Sequence, residues 1–246
     1  MSVVGIRGSP NHLRPAYRFY QWVWTGLDWL YPPQCGGCGQ PGTRWCQTCQ
    51  NSTRVVAPPV CQCCGNEQAS LGTCLTCRES VPAYAALRSW AVFEGPLRNA
   101  LHRLKYRGDV ALGEILARQL LEKLKGLDWV VDLVTPVPLG IARQKQRGYN
   151  QSTLLALPLA LGCGIAYRPQ ALAKVRETPS QVGLSSEERF QNVEGAFQAN
   201  ARIVSGKRVL VVDDVTTSGA TLNACADALK EAGASKVYAL TLARAV

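Results

Sequence analysis

The sequence predicts an α/β fold: an open parallel sheet with helices on both faces, preceded by a small zinc-ribbon domain. Three observations predict it. From about Ala83 onward, short apolar runs alternate with segments of helical period, the pattern of a parallel sheet. Nine of the eleven cysteines lie between Cys35 and Cys77. And the apolar run Val209–Val212 meets Asp213-Asp214, then a loop of small residues, Thr216-Thr217-Ser218-Gly219-Ala220-Thr221, that opens a helix. Hydrophobic residues make up 47% of the 246 positions and charged ones 18%, which describes a globular chain and excludes wholesale disorder. A net charge of +10 favours anionic partners such as nucleotides, phosphates or nucleic acid. A soluble basic protein without a polyanion is the plainer alternative.

Taken in order, residues 1–31 read as a loose tail followed by a short amphipathic helix. Phe19/Tyr20, Val23/Trp24, Leu27 and Leu30 recur at helical spacing, and Pro32-Pro33 end the run. Too few cations flank it for a membrane-surface helix, so its aromatic face is expected to dock on the protein. Arg18, Gln21 and Asp28 interrupt it, so neither a membrane span nor a signal peptide is expected, and the chain is expected in the cytoplasm.

Residues 32–80 hold an internal repeat. Cys35-x-x-Cys38 with Cys46-x-x-Cys49 recurs as Cys61-x-x-Cys64 with Cys74-x-x-Cys77. A Cys-x-x-Cys turn presents two sulfurs to one ion, and a tetrahedral Zn²⁺ needs four, so two structural zinc ions are expected. Sequential pairing would give Cys35, Cys38, Cys46, Cys49 and Cys61, Cys64, Cys74, Cys77; a cross-braced arrangement would alternate the pairs. Cys63 is spare or competes with Cys61. So small a segment buries little core, so the metal should supply most of its folding energy. Cys163 and Cys225 sit in apolar patterns and read as small core residues.

Residues 83–246 form the α/β part. Strands are expected at Ala86–Phe93, Val130–Val134, Ala171–Val175, Lys207–Val212 (the central one) and Val237–Leu242. Helices are expected from Pro96 through Leu97, Leu101 and Leu104, through Leu112–Leu124, over Asn150–Leu161 with Pro158 kinking or shortening it, and through Leu222–Leu229 to a stop at Gly233. Thr178–Ala196 reads as a mobile loop with a short helix.

Two stretches carry chemistry. At the end of the central strand, Asp213 and Asp214 sit beside a helix start, whose free N–H groups and dipole seat an anion. Two acids beside a phosphate seat suit a ligand with vicinal hydroxyls and a phosphate, a sugar phosphate. A strand-to-helix turn with ordinary caps would explain one hydroxyl, not two acids and four small loop residues. The second stretch, Arg143-Gln144-Lys145-Gln146-Arg147, follows Pro136-Val137-Pro138-Leu139 and lies between a strand end and a helix start, the ligand-bearing edge of such a sheet. Its three cations can clamp a pyrophosphate, although by themselves they equally describe a solvated basic loop.

The Val209–Thr221 stretch resembles the phosphoribosyl-pyrophosphate (PRPP) motif of type I phosphoribosyltransferases, with Ser218 a mild variation. The cysteine repeat, Leu104-Lys105-Tyr106, Pro136–Leu139, Arg147–Gln151, Thr178-Pro179-Ser180-Gln181 and Arg189–Phe197 come in the order seen in the ComF/GntX family of competence-associated phosphoribosyltransferase-like proteins, which the chain resembles over roughly residues 30–246. The resemblance implies a type I phosphoribosyltransferase-like fold, a double zinc ribbon, and a role in uptake or use of external DNA. By resemblance Asp213 and Asp214 hold the ribose hydroxyls and are the catalytic candidates. Thr216, Thr217, Ser218, Gly219, Ala220 and Thr221 hold the 5-phosphate, Pro138, Arg143 and Arg147 face the pyrophosphate, and Lys105 joins the ligand set. Mg²⁺ travels with the ligand, and residues 176–196 close over it with Arg176, Gln181 and Arg189.

Three functions are compatible with this. The first is a PRPP-binding protein that also binds single-stranded DNA through Arg98, Arg103, Lys105, Arg107, Arg143, Lys145 and Arg147. The second is an active transferase moving ribose 5-phosphate from PRPP to an unidentified nitrogen base, with Asp214 or a lid residue as general base. The third is an adaptor whose ribbons contact a DNA-translocating helicase. The chain has no Gly-x-x-x-x-Gly-Lys-Ser/Thr loop, so it is not that motor.

Overall fold

The computed structural model describes residues 15–30, 32–179 and 185–245. Residues 1–14, most of the expected tail, and Ser180 and Gln181 of the expected lid lie outside the described residues.

The N-terminal half opens with helix α1 (Pro15–Leu30), then the cysteine segment with two short helices, α2 (Gln47–Ser52) and α3 (Leu75–Glu79). Strand β1 (Ala86–Val92), helices α4 (Gly95–Tyr106) and α5 (Leu112–Lys125), and strand β2 (Leu133–Pro136) follow. Then come α6 (Ile141–Arg147), α7 (Gln151–Cys163), β3 (Ala166–Tyr167), β4 (Leu172–Lys174), α8 (Ser186–Val193), β5 (Phe197–Ala199) and α9 (Ala201–Val204). Strand β6 (Arg208–Thr216), α10 (Ala220–Glu231) and β7 (Lys236–Arg244) close the chain.

Five strands pair in the order β1-β7-β6-β2-β3, all parallel, while β4 and β5 form a small antiparallel pair. In β6, alternate residues face opposite ways, as strand geometry requires. Leu210 and Val212 join a core with α4, α5 and α7; Val209 and Val211 join one with α10. Both faces are covered, which is why the strand sequence is continuously apolar.

Several boundaries differ from those the sequence predicts. The strand expected at Val130–Val134 begins at Leu133. Asp132 is held by Arg208, whose guanidinium and backbone N–H donate to its carboxylate at 2.6–2.9 Å, and the ladder starts one residue later. The central strand does not stop at Val212. It runs to Thr216, with Asp213 paired to Thr241, so the acid pair lies inside the sheet's edge and not in the loop after it. Pro158 does not shorten its helix, which continues to Cys163 and ends at Gly164. Proline removes one N–H, but Pro158 is buried beside Leu155 and Leu159, and packing keeps the turn. The Arg143–Arg147 stretch is not a loop but the helix α6; none of its residues is buried, so no apolar period announces it.

The cysteine segment is built on the sheet's outer edge. Leu87 N–H donates to Cys63 O (2.7 Å), Val92 N–H to Arg54 O (2.8 Å), and Val56 N–H to Trp90 O (3.0 Å). The edge of β1 is thereby covered. Cys35, Trp45 and Cys49 belong to the same buried cluster as Leu97, Leu101 and Leu112. Among the described residues, no helix is long and apolar enough to cross a membrane.

Candidate functional site

The fold groups eight of the cysteines into two sets of four. Cys35, Cys38, Cys46 and Cys49 converge, as do Cys61, Cys64, Cys74 and Cys77, with the sulfurs of each set within 4.8 Å of one another. The sulfurs thus group as the sequential scheme has them and not in alternation. Sulfur–sulfur distances of 3.6 Å (Cys35–Cys49), 3.7 Å (Cys38–Cys46) and 3.8 Å (Cys64–Cys74) fit a tetrahedron, whose edge is about 3.8 Å for a Zn–S bond of about 2.3 Å. The first sulfur of each set is prepared for ionisation. Burial opposes it at Cys35, but backbone N–H groups of Cys38, Cys46 and Gly37 outweigh burial and bring the thiol down to about 6. Cys61 is likewise brought down to about 6 by the N–H groups of Cys74, Cys64 and Cys63. Cys63 stays outside both sets, packed against the second.

The candidate ligand site is a cavity of about 670 Å³ at the C-terminal ends of β2 and β6. Asp213, Asp214, Thr217 and Thr221 line it from β6 and the start of α10; Pro138, Arg143 and Arg147 line it from the β2–α6 segment; Lys105 reaches it from α4. In sequence the Pro138–Arg147 residues lie more than sixty positions before the acids, and Lys105 more than a hundred before them. The parallel order β2-β6 puts their strand ends side by side.

Both acids are almost entirely buried, Asp213 at 9% exposure and Asp214 at 3%. Ser152 Oγ donates to Asp213 Oδ1 at 2.7 Å, and the backbone N–H of Asp214 donates to the same oxygen at 2.9 Å. Burial, and next the charge of Asp214, push the Asp213 carboxyl up to about 7 against these hydrogen bonds. Asp214 Oδ2 meets Lys105 Nζ at 2.5 Å. Burial works against the Lys105 charge, but the Asp214 carboxylate prevails and holds the ammonium above its ordinary value.

Beside the acids lies a small cup of about 40 Å³ formed by Val215, Thr216, Thr217, Gly219, Ala220 and Thr221. Gly219 caps α10 at φ 82°, a left-handed conformation that brings the loop backbone round to the helix start. The buried Thr216 Oγ1 has no hydrogen-bond partner. Ser218 does not face this cup: it lines the cleft on the far side of the loop, towards the second cysteine set.

The opposite wall is basic. Arg147 donates to Gln151 Oε1 at 2.9 Å and lies 5.1 Å from the Tyr106 ring centroid. Lys174, not singled out in the sequence, faces the same space and donates to Thr178 Oγ1 at 2.7 Å. Burial, and next the charge of Arg143, lower its ammonium. Arg189 of α8 also lines the cavity, whereas Arg176 does not; it donates instead to the carbonyls of Asn192 and Glu194. Neither Ser152 nor Lys174 was singled out in the sequence: Ser152 lies one position past the Arg147–Gln151 motif, whose continuation could have pointed to it, and Lys174 gave no signal, being one lysine in a three-residue strand. In all, five cationic side chains (Lys105, Arg143, Arg147, Lys174, Arg189) face two carboxylates. The cavity can therefore take a strongly anionic sugar phosphate.

The donor set fits zinc in the ribbons. It does not fit a divalent ion held directly beside Asp214, because such an ion would meet the Lys105 ammonium at ion-pair distance.

Residues 107–245 match the phosphoribosyl transferase domain family and residues 26–83 the double zinc ribbon domain family. Among curated proteins, the chain is 33% identical to DNA utilization protein YhgH of Salmonella typhimurium, over 89% of this chain and 97% of that protein. It is 31% identical to competence protein F of Haemophilus influenzae over 81% and 90%, and 27% identical to competence protein ComFC of Bacillus subtilis over 83% and 86%. Among solved structures, the allosteric regulatory enzyme of purine biosynthesis aligns at 27% identity and a TM-score of 0.35, over 56% of this chain and a quarter (25%) of its own. The sequence matches, the ribbon-plus-parallel-sheet architecture and the acid-pair cavity together make this chain a member of the ComF/GntX family of competence-type phosphoribosyltransferase-like proteins.

Proposed function

We propose that this protein binds PRPP and acts, as the names of its relatives suggest, in the uptake or use of external DNA, with single-stranded DNA as a further partner. One observation supports PRPP binding: the acid pair and the basic wall line one cavity, and the small cup adjoins it through Asp213, Val215, Thr217 and Thr221. Ribose hydroxyls would face Asp213 and Asp214. The 5-phosphate would sit in the cup of Thr216, Thr217, Gly219, Ala220 and Thr221 at the start of α10, and the pyrophosphate against Arg143, Arg147 and Lys174. Any Mg²⁺ would join through the ligand's own phosphate oxygens. Calorimetric titration with PRPP tests this. Asp213→Asn with Asp214→Asn should abolish binding while leaving the sheet folded, and retained affinity would refute the assignment.

A second cleft, of about 520 Å³, supports the nucleic-acid partner. Arg44, Arg103 and Arg107 line it, with Arg103 donating to Asp109 and to the Cys35 carbonyl, and Tyr106, next to Arg107 in sequence and 65% exposed, lines the ligand cavity. Guanidinium groups to take phosphates and a ring to stack a base suit a single strand. Affinity for an oligothymidylate should fall steeply with salt, and a flat response would count against it. Exposed Leu71, Leu75 and Val81 on the ribbons are suited to a protein contact, the place proposed for a helicase.

Catalytic transfer is the alternative use of the cavity. The C1–oxygen bond to pyrophosphate would break, a C1–nitrogen bond to a base would form, and the base would give up its N–H proton. Phe93, Tyr106, Leu139 and Phe197 offer that base an apolar wall. Pyrophosphate release over a panel of bases decides between transfer and binding alone.

A further inference from the structure

Resting on PRPP as the ligand, we infer that Lys105 stands in for a divalent cation beside the acid pair, so that PRPP binds this protein with little need for Mg²⁺. A sugar pyrophosphate brings several negative charges towards two buried carboxylates, and something must neutralise that encounter. A divalent ion bridging ligand and protein oxygens is the usual means. Here the position is already taken. Lys105 Nζ lies 2.5 Å from Asp214 Oδ2, and the lysine side chain is only 21% exposed.

The turn that carries Lys105 is held in place by the fold, and the Asp214 carboxylate holds its ammonium. Lys105 is in the last turn of α4, and the preceding Leu104 is completely buried. The carbonyl of Leu104 accepts a hydrogen bond from Tyr149 Oη at 2.5 Å, which ties this turn to the segment after α6. The second acid is equally committed, since Asp213 Oδ1 accepts from both Ser152 and the Asp214 N–H. A metal entering beside Asp214 would have to displace Lys105 or sit against it. Charge balance does not require the metal either. Arg143, Arg147, Lys174 and Arg189 face the same cavity, so the pyrophosphate meets fixed cations supplied by the chain. A fixed ammonium also costs no recruitment of an ion at the moment of binding.

The test is calorimetric titration of the full-length, zinc-loaded protein with PRPP, in resin-treated buffer without chelator, with and without millimolar Mg²⁺. The wild type should keep its Kd within about threefold when Mg²⁺ is omitted. Lys105→Met should lose about tenfold or more in the absence of Mg²⁺ and recover much of it when Mg²⁺ is added. Lys105→Arg, which keeps the charge, should bind without Mg²⁺ as the wild type does, and it decides the matter if the methionine variant does not fold. A wild type that weakens about tenfold or more without Mg²⁺ would overturn the inference. So would a folded Lys105→Met that behaves as the wild type in both buffers. Absence of PRPP binding by the wild type in either buffer would instead overturn the identity of the ligand.

Discussion

Asp213 and Asp214 are neighbours in sequence and differ in their surroundings. Asp214 has a lysine; Asp213 has a serine hydroxyl and a backbone N–H, both weaker partners for a negative charge. Burial therefore prevails at Asp213 and raises its carboxyl from 3.8 to about 7. A group whose folded value lies above its unfolded one contributes stability below the unfolded value and loses it as pH rises through the folded one. Thermal stability of the wild type should accordingly fall between about pH 4 and pH 7 relative to Asp213→Asn, and parallel melting curves across that range would refute the assignment. Asp132, held low first by hydrogen bonds from Arg208, acts in a separate window: its contribution is present above 3.8 and is lost as pH falls below it. Ser152→Ala removes the hydroxyl that orients Asp213. We expect a loss of about tenfold in PRPP affinity, corresponding to about 1.4 kcal/mol for a hydrogen bond to a charged acceptor, with the folded content unchanged by circular dichroism.

At the scale of elements, α7 has two anchors. Asn150 accepts the Ser152 N–H at its start and donates to Val137 O, so one side chain caps the helix and ties it to the ligand-bearing segment. Asn150→Ala should cost about 1–2 kcal/mol in urea denaturation and weaken PRPP binding together. The second anchor is a close approach to α5. A Cβ on Gly113 would lie 2.6 Å from Leu154 Cβ and 2.9 Å from its carbonyl oxygen. Gly113→Ala should therefore destabilise by about 1–3 kcal/mol in the same measurement, although alanine is the better helix former, and a neutral result would show that the two helices can separate. Because Ser152 lies on α7, loosening this contact should reach the acid pair.

For the whole molecule, the ribbons are not an appendage. We propose a division near residues 80–83, but the two parts share a core through Cys35, Trp45 and Cys49, and β1 has ribbon carbonyls as partners for Leu87 and Val92. Arg103 donates to Cys35 O, and Arg244, at the end of β7, donates to Asn66 and to the carbonyl of Cys64. Purified protein should carry about two zinc ions per chain by elemental analysis. Removing them should unfold residues 35–77 and also strip hydrogen-exchange protection from the Leu87 and Val92 amides. If those amides keep their protection in the metal-free protein, the ribbon does not support the sheet edge.

Much of this was legible because it depends on local patterns. The continuous apolar run Val209–Val212 marked β6, since a strand covered on both faces has no polar side to interrupt it; β7 is broken within its apolar run only by Thr241, and β1 carries Arg88 and Ser89 in its middle. The cysteine spacing marked two sets of four converging sulfurs, and the acid pair with its small-residue loop marked where the cavity and its adjoining cup open. What the sequence left open was every property that depends on partners distant along the chain. Zinc pairing, the start of β2 at Leu133 and the helical state of Arg143–Arg147 were of this kind; so were the outward face of Ser218 and the arrival of Lys174. Local period records how one segment meets water and core. It does not record which other segment lies opposite, and charge placement depends on that. Lys105 shows the difference most directly: in the sequence it joins the ligand set only through a resemblance, with no partner named, and only the tertiary fold brings its ammonium from the last turn of α4 onto Asp214 of β6.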